Sequence, residues 1–193
     1  MSNEHKQALH RCLTKTREAL IWKTEGLSEY DVRRPLTRTG TNLLGLVKHL
    51  SIGEAWYFGD AFGRPFEPHL PWWDDGAPEH EDLWVKASES REEVLATYRA
   101  AIAHADEAIR SLDLDTPGRV PWWSAPDVTL QQVLVHVLAE TSRHAGHADI
   151  LREQLDGGAG LRADNLNQEQ HDDQWWANHR AQIETAARAA GSG

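Results

Sequence analysis

The segment TLQQVLVHVLAETSRHAGHADILREQLDGG, residues 129–158, constrains the fold of this chain more than any other. At about 100° per residue, Leu130, Val133, Val137, Leu151 and Leu155 fall on one stripe, the pattern of a long helix whose apolar face meets a core. Thr129 opens the pattern as a cap, and Gly157-Gly158 stops it.

Three further segments read the same way. Residues 4–26 carry Leu9, Leu13 and Leu20, with Ala8 and Ala19, near helical spacing, and Gly26 is a stop. Residues 41–60 carry Leu43, Leu46, Val47 and Leu50 behind a Thr41 or Asn42 cap. Residues 88–111 begin with serine and with acids in the first turn. Between them lie two loops rich in proline and tryptophan. Residues 62–82 hold four prolines, a length of loop that is uncommon without a function. The second is DTPGRVPWWSAPD. Residues 159–170 read as irregular, residues 171–189 as a short polar helix, and the closing GSG as frayed. No run reads as a strand. The expected fold is all-α: a four-helix bundle over residues 1–160, followed by an extension, 161–193, that packs on it or trails from it.

The 193-residue length suits this single core, and a net charge of −10 argues against a phosphate-binding surface and hence against nucleic acid. No window is apolar enough for a membrane span, and the charged start MSNEHKQALHR lacks a signal region, so a cytoplasmic location is expected. Cys12 is the only cysteine, which excludes an internal disulfide and a cysteine-based metal site; it reads as a small core residue. Exposed tryptophans make a homodimer plausible.

The long helix also carries an unusual density of ligand-type side chains. His136, Glu140, His144 and His147 run along an edge of its apolar stripe, and Glu140 and His144, one turn apart, can converge on one point. A carboxylate buried alone is costly, and a divalent ion offsets that cost. His49, flanked by Leu46, Val47 and Leu50, supplies a third ligand from the second helix. A set of His49, Glu140 and His144 leaves a coordination position open, as catalytic rather than structural zinc does. Against this stands the plainer reading, that a lone helical histidine packs or is solvated. It holds for His10, His69, His80, His104, His171 and His179. His136 either orients Glu140 by a hydrogen bond or packs at the helix edge, and Asp149 and the acidic run DDGAPEHED are expected to be solvated.

LLGLVKHL followed by VLVHVLAETSRHAGHADILREQLDG resembles the DinB/YfiT-like superfamily, in the branch of mycothiol-dependent transferases, over roughly residues 10–160. The resemblance implies a bundle of up-down-down-up order with a divalent metal, zinc or nickel. His49 and His144 match the first and last ligands, and Glu140 stands where many relatives have histidine. His147 stands where relatives often have glutamine, which implies contact with substrate and a role as proton acceptor. The implied chemistry is thiol transfer: a low-molecular-weight thiol such as mycothiol is deprotonated with the help of the metal and attacks an electrophilic small molecule, in detoxification. Trp72, Trp73, Trp122 and Trp123 on the two loops, and Arg143, are then the candidate contacts to the cofactor or electrophile; Arg152 is expected to be solvated. A non-catalytic metal-binding stress bundle and a metal-dependent hydrolase are the alternatives.

Overall fold

The computed structural model describes residues 3–74 and 76–191; Ser192 and Gly193 of the closing GSG lie outside the described residues. The chain divides into two units, the first ending at Ala159 and the second beginning at Gly160. Four long helices build the first unit: α1 (Asn3–Trp22), α3 (Leu43–Phe58), α4 (Arg91–Ser111) and α5 (Leu130–Asp156), with a single-turn α2 (Glu29–Arg33) after α1. Among the described residues, no helix is long and apolar enough to cross a membrane.

The helix ends sit where local chemistry puts them. Asn42 caps α3 by accepting from the Gly45 amide. Ser90 with Glu93, and Thr129 with Gln132, form reciprocal capping boxes at the starts of α4 and α5. Gly157, in a left-handed conformation, closes α5. Helix α1 stops at Trp22, short of Gly26, because its last carbonyls are taken up elsewhere. The Arg152 guanidinium of α5 donates to the carbonyls of Trp22, Lys23 and Glu25. Arg152 is therefore buried, not solvated, and it is held in place by Asp156. Asp149 keeps its carboxylate partly exposed, as expected, and in addition pairs at 2.7 Å with the buried Lys23.

Helix direction follows from the two core clusters. One joins Leu13 of α1, Phe58 of α3, Ala105 to Ile109 of α4, and Leu130 to Val137 of α5. The other joins Leu20, Leu43 to Leu50, Val94 and Tyr98, and Ala148 and Leu151. Chain number rises from the first cluster to the second along α1 and α5, and falls along α3 and α4. The order is thus up-down-down-up. Helices α3 and α4, extensively packed together, run parallel, so the chain must return the length of the bundle between them.

That crossover, residues 59–90, contains short 3-10 turns at Asp60–Phe62, Pro71–Trp73 and Glu81–Leu83. It explains why α3 is buried on nearly all sides, with twelve of its sixteen residues inside. The second Trp/Pro loop folds as a hairpin that the sequence pattern did not announce: β1 (Pro117–Arg119) pairs antiparallel with β2 (Asp127–Thr129). Three-residue strands that hold proline and glycine show no alternation to detect. Cys12 is exposed, not a core residue. The second unit contains α6 (Asp173–Ala190), capped by the Asp172 side chain on the Trp175 amide.

The bundle interior is not purely apolar. Arg17 of α1 donates through Nε to Glu54 of α3 at 2.6 Å and through Nη2 to the second Glu54 oxygen; both side chains are buried. The third arm reaches Asp106 of α4 at 2.7 Å, where His10 also bonds at 2.8 Å. A planar fork on two carboxylates ties three helices at one level. Removing one partner of such a pair strands the other, so Glu54→Gln is expected to lower the unfolding free energy by about 3–5 kcal/mol. Chemical denaturation of that variant, and of Arg17→Met with Glu54→Leu, which is expected to recover most of the loss, checks this.

Candidate functional site

The face of α3 that the crossover covers repeats at helical spacing: Asn42, Gly45, Lys48, His49, Gly53 and Trp56. Each of the first four fixes part of the crossover. Asn42 Nδ2 donates to the Leu83 carbonyl at 3.2 Å. A side chain at Gly45 would lie 2.0 Å from that same oxygen, so only glycine lets the crossover backbone touch the helix here. The buried Lys48 ammonium bonds the Trp84 carbonyl and Glu89, and lies over the Trp72 ring at 4.6 Å. One residue on, His49 Nδ1 meets Asp82 Oδ2 at 2.5 Å. The last two members of the acidic run thus depart from the expected solvated loop: Glu81 is buried against Lys86, and Asp82 is seated on His49.

Helix α5 presents His136, Glu140 and His144 to the same region, each one turn from the next. The rings of His49 and His144 meet edge to face, with centroids 5.0 Å apart. His144 Nε2 lies 3.7 Å from Glu140 Oε2, while its Nδ1 is buried without a hydrogen-bond partner among the described residues. Burial, then the neighbouring His49, lowers the His144 pKa from 6.5 to about 4, against the pull of Glu140. Asp82 is held below its ordinary value: burial would raise it, but the hydrogen bond and charge of His49 prevail.

These features suit a divalent ion. A metal ligand must be a neutral imidazole with a free lone pair, and His144 is neutral with an unsatisfied nitrogen. Asp82, as acceptor, assigns the proton of His49 to Nδ1 and leaves Nε2 available, the arrangement in which a carboxylate orients a ligating histidine. The three candidate ligands are neighbours, not a closed coordination shell: among the described residues no group of three or more His, Cys, Asp or Glu side chains is placed to hold an ion.

A cavity of about 300 Å³ opens beside these residues between α3 and α5, with His49, Glu140 and Asp82 in its wall. Trp73 from the crossover and Trp122 from the hairpin line it. Their ring centroids are 6.2 Å apart, and Trp56 of α3 sits 4.0 Å from Trp122. Gly118 seats the hairpin. A side chain there would come within 2.5 Å of the Phe62 ring and 2.8 Å of the Ala61 carbonyl. Trp123 lies behind the wall, against His136 and Tyr57. Trp72 stays with Lys48. Arg143 and His147 are exposed on α5, and the His147 ring is 5.6 Å from that of His144. His136 packs between Tyr57 and Trp123 and makes no hydrogen bond to Glu140.

Asp82, Trp56 and Tyr57 are the site residues that sequence reasoning missed. Trp56 had a signal, since it stands seven residues after His49 on the same helical face. Asp82 had none, because its position depends on how the crossover returns.

A family model described as mycothiol-S-transferase matches residues 8–157. Among solved structures, the chain is similar to the crystal structure of a conserved protein from Enterococcus faecalis, at 17% identity and a TM-score of 0.56, covering 82% of this chain and 99% of that one. That likeness shows the shared fold. No curated protein matches the chain.

Two outcomes are expected of the metal-free protein. The His144 ring, followed by its C2 proton in NMR, titrates near pH 4, and a midpoint near 6.5 overturns its assigned burial. Between 6.5 and about 4 the unfolded chain takes up a proton at this position that the folded chain refuses, so stability falls with pH across that window, and His144→Gln removes this part of the fall. Gly118→Ala is expected to lift the hairpin, part Trp122 from Trp56, and shift the tryptophan emission to the red.

Proposed function

Because the chain belongs to the mycothiol-S-transferase family, within the DinB/YfiT-like superfamily, we propose that it catalyses metal-dependent attack of mycothiol or a similar low-molecular-weight thiol on an electrophilic small molecule, in detoxification. The observation that carries this reading is the meeting of His49 from α3 with His144 and Glu140 from α5 beside an aromatic cavity that His49 and Glu140 line. These three residues would hold a divalent ion, zinc or nickel, whose charge lowers the pKa of a thiol brought to it.

The chain's own groups do the rest. Asp82 fixes the tautomer and the ring plane of His49. No cysteine stands in the cavity wall, and Cys12 is exposed on α1, so the thiol comes from the cosubstrate. The sulfur forms the new bond to carbon, the leaving group departs with its electron pair, and the thiol proton passes to solvent. His147, solvent-facing and edge-on to His144, suits that proton transfer better than it suits contact with substrate. Trp73 and Trp122 exclude water from the mouth and offer ring faces to a sugar-bearing thiol or an apolar electrophile.

Two measurements test the reading together. Metal analysis of the purified protein is expected to give about one zinc or nickel per chain, falling at least tenfold in His49→Ala with His144→Ala. With mycothiol, the loaded protein should accelerate alkylation of the thiol by monobromobimane, and the double variant should not. Equal, negligible metal in both proteins sinks the site. Metal without any thiol-dependent rate sinks the transferase and leaves a binding bundle.

A further inference from the structure

The cavity is selective in a way that its metal-ligand set does not explain. Trp73 is 50% exposed and Trp122 is 52% exposed, although both line one cavity and belong to different loops. Single exposed aromatics are ordinary, but two adjacent ones converging on a concave wall mark a surface meant to be covered. Trp122 is held from behind. The Trp122 ring rests on Trp56 and Tyr57, which belong to α3, and the hairpin beneath it is seated at Gly118. Rigid rings lose little entropy on receiving a flat guest.

The wall carries two carboxylates, Asp82, which is paired with His49, and Glu140, and among the described residues no lysine or arginine lines it. The nearest cation along α3, Lys48, is committed to Glu89 and the Trp84 carbonyl. Arg143 on α5 is exposed and outside the lining. The rest of the wall includes His49, His136 and Tyr57 together with apolar carbon from Leu50, Ile52 and Val137. In the metal-free cavity an anionic guest would face Glu140 and the Asp82–His49 pair with no lysine or arginine of the lining to answer it, whereas a neutral or cationic ring meets complementary faces.

We propose that this cavity, metal-free, binds planar aromatic molecules that carry no negative charge, stacked on Trp122 and Trp73, and that aromatic molecules so stacked are the electrophiles of the reaction. Only the last clause rests on the thiol-transfer reading; the binding selectivity stands on the wall itself. Trp73 and Trp122 are thereby specificity residues, not catalytic ones.

The test is calorimetric titration of the full chain, metal-free and without thiol, at pH 8. Three probes of one shape are used: naphthalene carboxamide, a naphthylmethyl trimethylammonium salt and naphthalene sulfonate. The carboxamide and the ammonium salt are expected to bind, and the sulfonate at least about tenfold more weakly. Trp122→Ala should weaken the carboxamide about tenfold, the loss of one stacked ring and its buried area. Trp122→Phe should retain most of the binding, which separates loss of the ring from collapse of the hairpin. Equal affinity for sulfonate and carboxamide overturns the proposal, as does unaltered binding in both Trp122→Ala and Trp73→Ala. Selective aromatic binding with no thiol-dependent turnover sinks the transferase reading alone. Turnover of aromatic electrophiles indifferent to both Trp122 and Trp73 sinks this proposal alone.

Discussion

Two neighbouring helices that point the same way cannot be joined by a short turn, and most of what is distinctive in this chain follows from that. Helix α3 and helix α4 are parallel, so residues 59–90 must travel back along the bundle before α4 can begin. A returning segment of that length has to find hydrogen bonds and burial somewhere, and it finds them on the outer face of α3. Asn42 and Gly45 take its backbone at Leu83, and Lys48 takes Trp84 and Glu89. His49 then receives Asp82 because it follows Lys48 on the same face. The residue that orients a candidate ligand and one tryptophan of the cavity are thus by-products of solving a connection problem.

The bundle carries its own internal polarity at a separate level. Arg17, Glu54 and Asp106 bind α1, α3 and α4 to one another through charge-assisted hydrogen bonds. A buried charge network fixes which partners meet, even where well-packed apolar residues could match its stability. Here the pairing aligns α3 with α1, and it therefore sets the height at which His49 faces α5. The site needs this alignment, since a shift of one residue would turn His49 away from His144.

The bundle was legible from sequence where periodicity and caps agree. The starts of α3, α4 and α5 fall at Asn42, Ser90 and Thr129, each marked by its own side chain. The candidate ligands were legible for a related reason: Glu140 and His144 share one helix face by spacing alone, and His49 stands out among aliphatic neighbours. Illegible were features whose energy comes from distant partners. Arg152 looked like a surface residue and instead caps α1, because the carbonyls it satisfies lie some 130 positions away in sequence. The short strands of the hairpin have no pattern of their own and exist because Gly118 can press against Phe62.

The sequence by itself determined the helices, their ends and the donor chemistry placed on two of them, since these depend on contacts within a few turns. Only the tertiary structure decided what those donors face. It put the His49 and His144 rings in contact, gave Asp82 to His49, left a His144 nitrogen unsatisfied, and brought Trp73 and Trp122 from separate loops to one cavity. Local propensity is additive along the chain and can be read in order. Convergence depends on helix direction and on where the connections return, and neither is written in any one stretch of residues.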